Sequence, residues 1–412
     1  MKSRVLTCIT PIALFAALTI PARLLAQQQI HYTVTDLGTL GGTFSFAGGI
    51  NNSGDIEGFS TLQGDSILRA FRWRSGVMTD LGTFGGPNSL ASWRLNERGE
   101  VGGNAETSTP DPMGEDFCGF GTHLTCLPFV WQKSVLTPLP TLGGNNGQAN
   151  GVNSRGQVVG TAENTTADAT CEAPQVLQFK PVIWTQGRVQ ELPTFHGDPD
   201  GVAVAINDEG QAVGYTGSCI IGFDAVLWQN GKVTGLGNLG GTGAIVSDIN
   251  NQGQVSGFSD LPGDTTFHAF LWQNGAMTDL GTLPGDVASV ADGINSKGQV
   301  VGGSVDMNGN ERAFLWQNGV ITDLNSVIPA DSPLFLIEPT GTINSRGQIA
   351  GIGLDVSTGE IHAFLATPSN GAGEIGGATS ELRLQISPKV VLPENVRRVL
   401  RQRLGHKHQI LE

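Results

Sequence analysis

Basic residues are scarce in this chain: 23 lysines and arginines stand against 37 aspartates and glutamates. A body that acidic repels phosphate backbones, which excludes nucleic acid as a partner. Long apolar runs are scarce too. The run from Val5 to Ile20 is shorter than the roughly 20 residues that a membrane-spanning helix needs. Lys2 and Arg4 precede it, and Leu24-Leu25-Ala26 before Gln27 offers a cleavage site, so residues 1–26 read as a secretory signal. The motifs of catalysis are missing as well: no Walker loop, Gly-x-Ser-x-Gly elbow, Ser-x-x-Lys pair, His-Glu-x-x-His helix or Cys-x-x-Cys pair occurs. Gly371, Gly373 and Gly376 match the dinucleotide fingerprint by letter, but lie in a Gly-rich linker without the strand and helix that would aim such a loop at pyrophosphate. Asp306, Asn308 and Asn310 have calcium-loop spacing, yet Glu311 stands where the sharp-turn glycine belongs. No catalytic residue, metal ligand or cofactor is assigned.

What the chain has instead is glycine, at 59 residues, far above the usual share of about 7%. It also has a repeat. The motif Asn-x-x-Gly-x-x-x-Gly begins at Asn51, Asn96, Asn153, Asn207, Asn250, Asn295 and Asn344, at intervals of 45, 57, 54, 43, 45 and 49 residues. Trp73, Trp131, Trp184, Trp228, Trp272 and Trp316 recur in register with it, and Ala366 takes the seventh place. Within residues 267–302 the side-chain period is two. Ala269–Trp272, Met277–Leu280, Val287–Ile294 and Gln299–Gly302 read as four strands of one antiparallel meander, with turns at Asn274-Gly275 and Asn295 to Gly298. Four strands per 40–50-residue unit is the signature of a β-propeller.

The fold class is therefore all-β: a seven-bladed propeller of four-stranded antiparallel blades over residues 32–368. Its ends are complementary. Tyr32 to Leu37 matches a return strand without a partner before it, and His362 to Leu365 matches a third strand without a return strand after it. Joining them closes the ring and removes two open edges. Residues 369–386 form a Gly/Ala/Ser-rich linker. Residues 387–412 are a basic tail in which Val396, Val399, Leu400 and Leu404 share one face of a short helix. Such a tail can touch an anionic membrane, though a docked tail is the plainer reading.

The triplets His268-Ala269-Phe270 and His362-Ala363-Phe364, with Arg69-Ala70-Phe71 and Arg312-Ala313-Phe314, are followed by Leu-Trp, Asp-Leu-Gly and Asn-x-x-Gly patterns. Together they resemble the HAF repeat of extracellular bacterial proteins, over residues 32–367. The resemblance implies a secreted or envelope location and brings no catalytic residues.

Once residues 1–26 are removed, Cys118, Cys126, Cys171 and Cys219 remain. An even count in an oxidising compartment predicts two disulfides, and four cysteines allow three pairings. The gap from the last glycine of the motif to the next tryptophan is 28 residues after Gly103 and 24 after Gly160, against 14 or 15 elsewhere. Neighbouring blades thus carry inserts at one topological point, where Cys118 can pair with Cys126 and Cys171 can reach Cys219. Long loops on a rigid scaffold are where binding concentrates. The reading is a secreted, extracellular or periplasmic, monomeric binding module without catalysis. It meets a glycan, peptide or protein through residues 104–127 and 161–179. The alternative is a propeller-based hydrolase or lyase, which requires clustered carboxylates or histidines facing the central channel.

Overall fold

The computed structural model describes residues 30–91, 94–219 and 223–369. The expected signal, the linker beyond Ser369, the basic tail and Trp93 lie outside the described residues. The described chain is all-β, with two three-residue helical turns beside its strands. Five sheets have four strands each and follow chain order, each strand pairing antiparallel with the next. A sixth sheet has eight strands: two four-stranded sets joined by one parallel bridge, Phe44 to Ile361. In one set, His31–Asp36 pairs antiparallel with Ile361–Ser369, six residues against six, from His31 opposite Ser369 to Asp36 opposite Phe364.

Residues 267–302 are not one meander. Phe267–Gln273 and Ala276–Gly281 complete one sheet, and Ala288–Ile294 and Val300–Val305 begin the next. The connection through Thr282 to Val287 therefore crosses between sheets, where period-two patterning alone suggested another hairpin.

Each part of the repeat has a physical cause. The motif asparagine organises its own turn: Asn51 Oδ1 accepts from the amides of Ser53 (2.9 Å) and Asp55 (3.0 Å), while Gly54 takes φ of +82°. The last glycine of the motif sits under a bulge of the strand before it. A Cβ on Gly302 would lie 1.9 Å from the Val290 carbonyl and 2.7 Å from the Phe314 ring, so no side chain fits. Phe314 and its equivalents Phe71, Phe129, Phe270 and Phe364 use that gap and are fully buried. The first residue of the triplet answers the aspartate of the return strand: His268 Nδ1 meets Asp279 at 2.9 Å, His362 Nδ1 meets Asp36 at 2.9 Å, and Arg312 meets Asp323 at 3.2 Å. Trp184 (1% exposed) and Trp228 (2%) are core residues that donate to the carbonyls of Pro140 and Pro193, whereas Trp272 and Trp316 are half-buried.

Candidate functional site

Four consecutive registers, counted from the motif asparagine, build a mouth shared by all seven repeats. At the asparagine itself, each side-chain amide donates to the backbone carbonyl of the next motif asparagine: Asn51 to Asn96, Asn96 to Asn153, Asn153 to Asn207, Asn207 to Asn250, Asn250 to Asn295 and Asn295 to Asn344. Asn344 donates to Asn51 at 2.9 Å. One residue earlier the chain is aliphatic throughout, as Ile50, Leu95, Val152, Ile206, Ile249, Ile294 and Ile343. All of these but Ile249 line the mouth.

Two residues before the asparagine the register holds small side chains, namely Gly49, Gly151, Ala205, Gly293 and Thr342, with two exceptions, Arg94 and Asp248. The strands crowd here: a Cβ on Gly293 would lie 2.5 Å from that of Thr342. Into this crowding Arg94 sends its guanidinium, which pairs with the buried Asp248 carboxylate and donates to the carbonyls of Ile294 (3.1 Å) and Ile249 (3.4 Å). Asp248 also accepts from the amides of Ile249 and Ile294. Burial pushes its carboxyl up, and Arg94 and those two amides oppose the shift.

One residue after the asparagine, the register reads Asn52, Glu97, Ser154, Asp208, Asn251, Ser296 and Ser345. All seven line one open pocket. The two acids there are driven apart. Partial burial and the nearby Asp208 raise Glu97 above its ordinary 4.5, against hydrogen bonds from Asn52 and the pull of Arg94. Desolvation acts the same way on Asp208, but donation from Ser154 N (2.8 Å) and Asn251 Nδ2 (3.1 Å), with Arg155 close by, takes it below its ordinary 3.8. Two carboxyls of one pocket displaced in opposite directions are the electrostatic arrangement of an acid and a base. The sequence carried a signal for both: acids replace the asparagine or serine found in the other five repeats.

The predicted inserts are adjacent. Glu115 of the first is fully buried and accepts from the amides of Val176 (2.7 Å) and Leu177 (2.8 Å) of the second. Asn146 Nδ2 donates to Asp111 (2.9 Å) and Glu163 (3.0 Å), and Gln175 Nε2 donates to Glu163 (2.9 Å). Burial, with Glu115 beside it, pushes Glu163 up to about 7 against the bonds from Gln175 and Asn146. Disulfides join Cys118 to Cys126 and Cys171 to Cys219, in accord with an oxidising compartment. No helix among the described residues is long and apolar enough to cross a membrane. Asp306 closes a polar hairpin, accepting from the amides of Asn308 and Asn310. Asp200 begins a strand and is 1% exposed.

No family model and no curated protein matches the chain. Solved structures do. The β-propeller domain of the Trilobed protease from Pyrococcus furiosus is similar at 13% identity and TM-score 0.46, over 69% of this chain and 82% of that one. An acylaminoacyl peptidase from Pyrococcus horikoshii is similar at 11% identity and TM-score 0.45, over 68% of this chain and 44% of that one. A puromycin hydrolase is similar at 16% identity and TM-score 0.45, over 80% and 52%. The chain thus spans about half the length of the latter two. The expectation of a non-catalytic module that meets its ligand through residues 104–127 and 161–179 is corrected. The similar structures are the propeller domain of a protease, a peptidase and a hydrolase, and Glu115 of the first insert is taken up by the backbone of the second.

Proposed function

We propose that the chain is a hydrolase-type propeller whose acting residues are scattered over several blades and converge on the shared mouth. Glu97 is the general acid that protonates the leaving group. Asp208 is the general base that takes a proton from the attacking water. Arg94, tied to Asp248, holds the floor beneath them. The observation that carries this reading is that Glu97 and Asp208 line one open pocket at a register where the other five repeats hold asparagine or serine, and burial and neighbours displace the two carboxyls in opposite directions.

The finer architecture belongs to the same proposal: seven blades, closed where His31–Asp36 pairs with Ile361–Ser369. The asparagine chain that runs from Asn51 through Asn344 and back to Asn51 supports it. So do the five four-stranded sheets together with the two sets of the eight-stranded one. Secretion accords with the two disulfides, and the HAF-repeat kinship stands with it.

The test is a hydrolysis screen with chromogenic glycosides, esters, lactones and aminoacyl amides, run on the full chain and on Glu97→Gln and Asp208→Asn. Turnover of one class, lost by at least a hundredfold in each variant while both fold, is the result expected. Turnover that survives both substitutions, or none in any class, overturns the reading.

A further inference from the structure

The register that follows the motif asparagine leaves some of its backbone donors unused. In four of the seven repeats the amide at that position donates to the side chain at the same position of the next repeat: Ser345 to Asn52 Oδ1 (2.8 Å), Asn52 to Glu97 (3.1 Å), Ser154 to Asp208 Oδ1 (2.8 Å) and Asp208 to Asn251 Oδ1 (2.9 Å). The other three amides, those of Glu97, Asn251 and Ser296, meet a serine at that place: Ser154, Ser296 and Ser345. A serine hydroxyl stops one bond short of where an asparagine or aspartate oxygen stands, and no acceptor among the described residues takes these three N–H groups. Two of them are neighbours, since Asn250 of the fifth repeat donates to the Asn295 carbonyl of the sixth (3.0 Å), and Asn251 and Ser296 both line the pocket. Such amides want an acceptor.

Charge is divided in the same way. The two acids of the register, Glu97 and Asp208, stand in the second and fourth repeats, whereas the fifth to seventh carry Asn251, Ser296 and Ser345. One position further along, the sixth and seventh repeats carry Lys297 and Arg346, both exposed and neither in an ion pair among the described residues. Their counterparts beside the acids are engaged: Arg98 pairs with Glu100 (2.6 Å), and Arg155 pulls on Asp208. Two unused amides next to two unpaired cations favour an anion. The rest of the lining is amide and hydroxyl groups with aliphatic side chains, which suits a ring that carries hydroxyls and presents a C–H face.

We infer that the mouth takes a sugar acid, and that the amides of Asn251 and Ser296 accept its carboxylate while Lys297 and Arg346 supply the field that draws it in. The inference rests on the reading of the mouth as a hydrolytic pocket and narrows it. The substrate is a glycoside of a uronic acid, its carboxylate held at the fifth and sixth repeats and its scissile bond directed toward the acids of the second and fourth.

Calorimetric titration of the full chain with glucuronate and galacturonate, against glucose and galactose, tests the subsite without any turnover. Saturable binding of an acid, about tenfold or more tighter than its neutral sugar and weakened by added salt, is the result expected. Ser296→Asn and Ser345→Asn supply the absent acceptors in the form that Asn251 takes in its own repeat, and each should lower the affinity about tenfold while the melting transition stays in place. Lys297→Gln with Arg346→Gln, at exposed positions, should lower the affinity for the acid and leave that for the neutral sugar alone. Equal affinity for acid and neutral sugar, no binding of either acid, or affinity untouched by these substitutions overturns the inference. Nitrophenyl glucuronide and glucoside, assayed in parallel, separate it from the catalytic reading. Carboxylate-dependent binding without cleavage keeps the subsite and rejects the roles of Glu97 and Asp208; cleavage of both glycosides at one rate keeps those roles and overturns the subsite.

Discussion

Arg94 of the second repeat pairs with Asp248 of the fifth, 154 positions further along the chain, beneath a mouth to which all seven repeats contribute. Asp248 is 1% exposed, so removing its partner strands a buried charge. Arg94→Ala is expected to cost about 3–5 kcal/mol, the usual loss when one member of a buried pair is removed. Arg94→Met combined with Asp248→Leu should recover most of it. Urea denaturation of the three proteins decides, and a single variant as stable as the parent would show that the pair is idle.

The join of the chain ends carries a pH signature. His362 is raised above its ordinary 6.5, first by its bond to Asp36, then, against desolvation, by the charges of Asp36 and Glu360. A histidine with a raised folded-state pKa stabilises fully below 6.5, and the benefit is lost as pH rises through the raised value. Asp36→Asn should therefore cost about 1.5 kcal/mol at acidic pH and nothing above that window. A difference that is flat with pH would refute the assignment. Deleting residues 27–40 should expose the edge of Ile361–Ser369 and broaden or lower the melting transition.

Glu163 gives a slope of the same sign, from burial instead of an ion pair. Its carboxyl titrates at about 7 in the folded chain against an ordinary 4.5, so between those values the folded state holds more protons than the unfolded one. Stability contributed at this site falls as pH rises through that window and stays lower above it. Glu163→Gln should flatten the slope and exceed the parent in stability above pH 7. Denaturation midpoints measured across that range check it.

Tryptophan burial divides the repeats. Trp184→Ala removes an indole that is 1% exposed and hydrogen-bonded to Pro140, and should cost about 3–5 kcal/mol. Trp272 is half-buried, so its replacement should cost clearly less. Equal losses would contradict the packing.

The repeat was legible because every unit must solve the same local problem. Asn51 and its equivalents order a turn, Gly302 and its equivalents pass beneath a carbonyl, and Phe314 and its equivalents fill the space so made. Such local solutions leave a period in the chain. The mouth was not legible in that way, since Arg94 and Asp248 make sense only as partners across the repeats. Read alone, each is one charged residue before an aliphatic one. Aligning the seven units and asking where a register breaks its own rule finds both, and finds Glu97 and Asp208 three positions later in the common frame. The inserts misled for a related reason: length and cysteines marked them as special, but sequence does not tell whether polar groups face solvent or, as Glu115 does, one another.

The most direct test of the central claim is the pH dependence of hydrolysis for the substrate class that the screen identifies. With Asp208 ionised as base and Glu97 protonated as acid, kcat/KM should be bell-shaped with an acidic optimum. The acid limb should fall below the ordinary aspartate value of 3.8 and the basic limb above the ordinary glutamate value of 4.5. Glu97→Gln should abolish the basic limb along with most of the rate. A profile indifferent to pH through this range, or one that Glu97→Gln leaves in place, would contradict the account.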